Sequence, residues 1–83
     1  MITVQYFASV RESLGRSSEH VPAPSAEVSV KELLDMMAEK DSKLATLLAG
    51  ERLLYAVNQE MADGSAAVCD GDEVALFPPM TGG

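Results

Sequence analysis

Apolar and polar side chains alternate from Ile2 to Ala8: Ile2, Val4, Tyr6 and Ala8 fall on one side, and Thr3, Gln5 and Phe7 on the other. A period of two predicts a strand with its first set buried, which leaves Phe7 on the more polar face. Ser9 to Leu14 predicts a short helical turn that stops at Gly15. Ser18 to Val21 predicts a second strand returning beside the first, and Pro22-Ala23-Pro24-Ser25 a loop. The period then changes. Val30, Leu33, Leu34 and Met37 recur at i, i+3, i+4 and i+7, the apolar stripe of a helix from about Val30 to Lys40. Ser29 is its N-cap, and Glu32 three residues on completes a capping box. Lys43 to Leu48 predicts a second short helix closed by Gly50. Leu53 to Val57 reads as a buried strand, Asn58 to Gly64 as turn-rich, and Ser65 to Val68 as a short edge strand. Asp70-Gly71-Asp72 signals a turn before the last strand, Glu73 to Phe77. There Val74 and Leu76 share one face, and Phe77 lies with Glu73 and Ala75 on the other.

The predicted order is β-β-α-β-(β)-β with one principal helix. Strands outnumber helices without alternating with them, so the fold class is α+β. A mixed sheet with the helix lying across one face buries a single stripe most simply. That layout matches a β-grasp, or ubiquitin-like, domain over residues 1–77, with residues 78–83 as an extended C-terminal tail.

Charge narrows the partners. Thirteen acidic residues against six basic ones give a formal net charge of −7. That balance argues against nucleic acid, which selects a basic face, and suits a protein partner carrying basic charge. Cys69 is the sole cysteine, so neither an intrachain disulfide nor a cysteine-rich metal framework is expected. The chain opens directly in a strand-like run without a signal-peptide pattern, and no apolar stretch reaches membrane-spanning length. A cytoplasmic protein with no membrane association is the expectation.

The candidate chemistry lies in Pro78-Pro79-Met80-Thr81-Gly82-Gly83. Glycine lacks a Cβ, so a Gly-Gly end threads channels too narrow for other residues, and the α-carboxylate of Gly83 is its one reactive group. Pro78 and Pro79 fix φ and lack N–H donors, which keeps the tail extended. At about 3.3 Å per residue, six residues reach roughly 20 Å. Phe7 and Phe77, both predicted outside the core, form an exposed aromatic patch at the tail's base if their strands adjoin, a feature that marks partner surfaces. Met61 and Met80 extend it with adaptable side chains. Arg11, after the first strand, has the fork to grip a partner carboxylate. Asp70, Asp72 and Glu73 read as a solvated turn rather than a cation site, His20 as a surface strand residue, and Cys69 as strand-edge packing. No phosphate-cradling glycine loop is present. No side-chain constellation supports catalysis, so the chain either uses its C-terminus or only binds.

Three blocks carry a resemblance: Phe7-Ala8-Ser9-Val10-Arg11-Glu12, Ala56-Val57-Asn58-Gln59, and above all the run from Asp70 through Phe77-Pro78-Pro79-Met80-Thr81-Gly82-Gly83. Over its full length the chain resembles the sulfur-carrier small subunits of molybdopterin synthase. The resemblance implies that an adenylating enzyme related to ubiquitin-activating enzymes uses ATP and magnesium to make an acyl-adenylate on Gly83. A sulfur donor protein then converts it to a thiocarboxylate. It further implies that the tail enters the large synthase subunit, in a heterotetramer, and donates sulfur to cyclic pyranopterin monophosphate. This chain would bind no cofactor or metal of its own, and the catalytic pocket would lie on the large subunit. Gly83 would carry the sulfur, Gly82 pass the narrow entrance, and Thr81, Met80, Pro79 and Pro78 direct the tail. Phe77, Phe7, Arg11 and Met61 would meet the partners. A thiazole-forming sulfur carrier of thiamine biosynthesis, a ubiquitin-like lysine modifier and a plain interaction domain remain as alternatives.

Overall fold

β1 (Ile2–Tyr6) and β2 (Ser18–Val21) form an antiparallel pair with Ile2 opposite Val21 and Gln5 opposite Ser18, joined through α1 (Ala8–Leu14). The coordinates are a computed structural model, which describes residues 1–50 and 52–79. β3 (Glu27–Ser29) leads into α2 (Val30–Ala38), and α3 (Ser42–Gly50) follows. β4 (Leu54–Val57), β5 (Glu60–Ala62), β6 (Ala67–Cys69) and β7 (Glu73–Phe77) complete the element order. The main sheet runs β2-β1-β7-β4-β5, with β7 parallel to β1 and antiparallel to β4. The last strand is therefore the central one. β3 and β6 make a separate two-stranded sheet.

The two periods do what they predict. Ile2, Val4 and Tyr6 are buried, as are Val74 and Leu76, and the α2 stripe of Val30, Leu33, Leu34 and Met37 closes over them. Both arms of the capping box are made: Glu32 N–H donates to Ser29 Oγ at 3.0 Å, and Ser29 N–H to Glu32 Oε1 at 3.0 Å. Gly15 ends α1 in the left-handed region at φ 74°, its N–H on the Arg11 carbonyl.

Four expectations change. Ala8 is exposed and opens α1 at φ 52° instead of extending the strand, because the chain must turn away once Tyr6 has filled its core position. Residues 58–64, predicted as turn, contain β5. The edge strand predicted from Ser65 runs instead over Ala67–Cys69 and pairs with β3, which was not expected. Three-residue strands hold too little sequence to show a period. Cys69 is exposed, since in so short a strand only Val68 points inward.

The β4–β5 hairpin turns through Asn58 and Gln59, both left-handed at φ 50° and 70°. This is the two-residue turn whose twist matches its strands, and glycine is favoured at its second position. Gln59→Gly should therefore raise stability by about 1 kcal/mol, the usual cost of a left-handed side-chain-bearing residue. A urea midpoint that falls instead would show that the Gln59 side chain contributes more than its backbone costs.

One polar network ties β1, β2 and the turn between α1 and β2 to the α2–α3 corner. The Tyr6 hydroxyl donates to Glu19, and the Arg16 guanidinium bridges Glu19 and Asp41 while lying 5.5 Å from the Tyr6 ring centroid. Asp41 also accepts the Lys43 and Leu44 N–H groups, capping α3 at 3.1 and 3.2 Å. Burial, then the Glu19 hydrogen bond, holds the Tyr6 phenol protonated well above its usual range. The Arg16 hydrogen bond holds the Asp41 carboxyl below its usual range. A lowered folded-state pKa gives stability that is present above the unfolded value, about 4, and lost as pH falls through the folded one. Wild-type stability should thus drop below about pH 4. The Arg16→Ala variant, whose Asp41 lacks its main perturbation, should lose less over that window. Equal acid losses in denaturant titrations of both proteins would refute the assignment.

Candidate docking face and tail root

Residues opposite one another in a sheet share a face, so the registers place the functional candidates. Tyr6 lies opposite Leu76 on the core side, and the pairing continues one step, with Phe7 N–H donating to the Leu76 carbonyl at 3.1 Å. Phe7 is 44% exposed, and Phe77, half-buried, lies on the face away from the helices. The two rings thus emerge from adjoining strands at the end where β7 runs into Pro78. On the other flank, Leu54 is opposite Phe77, Ala56 opposite Ala75, and Met61 opposite Ala56. One half of the open face is therefore apolar: Phe77, Leu54, Ala56, Ala75 and Met61, the last 65% exposed. The half toward β2 is polar, with Thr3, Gln5, Ser18 and His20, and Gln5 Nε2 donates to Glu73 Oε2 at 2.9 Å.

Arg11 is exposed on the last turn of α1, its N–H 3.4 Å from the Phe7 carbonyl, and has no ion-pair partner among the described residues. The structure so brings Phe7, Phe77 and Arg11 to one end, with Met61 on the same sheet face. Pro78, half-buried, and Pro79, exposed, continue from β7. Met80, Thr81, Gly82 and Gly83 lie outside the described residues. Leu54 and Ala56 were missed as face residues, because the run from Leu53 to Val57 reads as buried throughout, whereas Ala75 stands beside Phe77 on the face that alternation gave it. The alternation of Leu54 and Ala56 against Tyr55 and Val57 was the available signal.

Asp72 serves the turn. Its Oδ2 accepts the Cys69 N–H at 2.8 Å and its Oδ1 the Asn58 amide at 3.2 Å, which lowers its pKa. Among the described residues, no three His, Cys, Asp or Glu side chains converge on a metal position, and no helix is long and apolar enough to cross a membrane. A hollow of about 450 Å³ beside Val21, Pro22, Pro24, Met36 and Met37 is lined at its polar end by Glu19 and Asp41, both held by Arg16.

A mixed sheet with a central last strand, helices on one face and an open apolar half-face at the strand's exit defines a ubiquitin-like β-grasp domain. The ThiS family model matches residues 4–83, and the chain belongs to that family. It is 42% identical to the molybdopterin synthase sulfur carrier subunit of Escherichia coli (strain K12), with all of both chains covered. Among solved structures, SAMP1 from Haloferax volcanii superposes with a TM-score of 0.81 at 28% identity, covering 99% of this chain and 98% of that one. A chain of the complex of subunits 1 and 2 of molybdopterin-converting factor from Helicobacter pylori 26695 shares the fold. Its TM-score is 0.67 at 23% identity, covering 99% and 97%.

Proposed function

We propose that this chain is the sulfur carrier of a molybdopterin synthase. The reading rests on the full-length identity with a curated sulfur carrier subunit, together with an apolar face at the root of a Pro-Pro-Met-Thr-Gly-Gly end. A carboxylate is a poor electrophile. In the proposed cycle an adenylating enzyme couples the Gly83 carboxylate to the α-phosphate of ATP, with magnesium, and releases pyrophosphate. The persulfide of a sulfur donor protein displaces AMP to give an acyl disulfide, and a second thiol cleaves it, forming a disulfide with the donor cysteine and leaving the thiocarboxylate. The tail then enters the large synthase subunit, where the anionic sulfur attacks cyclic pyranopterin monophosphate. ATP and magnesium belong to the adenylating partner, and the reaction pocket to the large subunit. This chain supplies the tail, a rigid strand to aim it, and the docking face of Phe7, Phe77, Leu54 and Met61, with Arg11 at its margin. All of this takes place in the cytoplasm.

A second reading, a ubiquitin-like modifier, is favoured by the likeness to SAMP1, the small archaeal modifier protein 1 of Haloferax volcanii. Intact mass after co-expression with the adenylating enzyme separates the two. One oxygen replaced by sulfur at Gly83 supports the carrier. Unmodified protein despite demonstrated adenylation, with lysine conjugates in the cell, would overturn it.

A further inference from the structure

Asn58 and Gln59 belong to a block that the proposed cycle leaves without a role, yet Asn58 is the most heavily engaged residue of its hairpin. Its backbone N–H donates to the Glu73 carbonyl at 2.8 Å. Its Oδ1 accepts the Glu73 N–H at 3.0 Å, and its Nδ2 donates to Asp72 Oδ1 at 3.2 Å. Asp72 is itself held by the Cys69 N–H at 2.8 Å. One side chain so clamps the tip of the β4–β5 hairpin to the first residue of the central strand. Its left-handed backbone, φ 50°, is one that Asn tolerates and that the tight turn requires.

β5 needs such a clamp. It is a three-residue edge strand paired in the main sheet only with β4, and its middle residue is Met61, the most exposed large apolar side chain of the docking face. An edge strand this short has little packing of its own, and a one-residue slip would turn Met61 to the opposite face. We infer that Asn58 is a positioning residue: it fixes the hairpin on β7 so that Met61 is presented to the partner beside Ala56 and Ala75. The inference rests on the reading that this face docks the large synthase subunit.

A double-mutant cycle on affinity for that subunit tests it, using full-length chains with thermal melts as controls. Met61→Ala and Asn58→Ala should each weaken binding about five- to tenfold. If Asn58 acts through Met61, the double variant should be no weaker than the poorer single one. Losses that multiply, or an Asn58→Ala affinity equal to wild type, would overturn the inference while leaving the docking face standing. An unchanged Met61→Ala affinity would overturn the inference and take Met61 out of the docking face, leaving Phe77, Phe7 and Leu54 to carry it. Asn58→Asp alone sets two carboxylates against each other and should weaken binding. Combined with Asp72→Asn it restores the bonds with donor and acceptor exchanged: the new carboxylate accepts from Glu73 N–H and the new amide, whose oxygen keeps the Cys69 N–H. Recovery of affinity in that pair supports the clamp, and failure to recover at wild-type melting temperature counts against it.

Discussion

One residue added after Gly83 should abolish sulfur loading completely and leave the melting temperature unchanged. The proposed chemistry needs the glycine carboxylate itself at the adenylation site, and an added residue both moves that group and puts a side chain where only a backbone passes. Among the described residues, every strand and every core residue lies at or before Phe77, so the extension alters no residue of either. Gly82→Ala is the finer version. A single Cβ should leave folding intact and slow sulfur transfer by about a hundredfold, the usual penalty for misplacing a reacting group by about an ångström. Single-turnover transfer from loaded protein reads this directly. Transfer at the wild-type rate would mean that the channel accepting the tail is not narrow, and would remove the reason for a diglycine end.

Leu76→Ala and Phe77→Ala should have opposite consequences although the residues are neighbours on one strand. Leu76 is 0% exposed and central to the core. Its truncation leaves a cavity and should cost about 2–5 kcal/mol, much of the roughly 5–15 kcal/mol that a domain holds. Phe77 faces away from the helices at the centre of the proposed docking face. Its loss should cost about 2 kcal/mol or more in partner binding, close to thirtyfold in affinity, with only a small loss of stability. Urea unfolding alongside titration with the large subunit separates the cases. If Phe77→Ala loses as much stability as Leu76→Ala, the ring is a structural residue and the docking face must be redrawn around Phe7 and Met61.

The elements that were legible in the chain were those with a sustained period or a capping signature. β1, β7 and α2 follow from alternation at two and recurrence at 3.6, because burial of one face is decided by which residues stand on it. The stops at Gly15 and Pro78 and the Ser29–Glu32 box are local chemistry, readable without a fold. β3 and β5 were not legible, since each is three residues held by its partner and not by its own pattern. The outward placement of Phe7 and Phe77 could be read from phase alone, but their adjacency could not.

The sequence by itself determined the α+β class, the core face of the central strand, and a Gly82-Gly83 pair without Cβ atoms. These depend on properties that a residue carries anywhere: period, cap, missing Cβ, charge. Only the tertiary structure decided that β7 lies between β1 and β4, which sets Phe7 beside Phe77, brings Leu54, Ala56, Ala75 and Met61 onto the same half-face, and locks Asn58 to Glu73 fifteen residues away. Such pairings are non-local. Strand register joins residues through backbone hydrogen bonds that every residue can make, so no single stretch of sequence specifies its partner until the whole core closes around it.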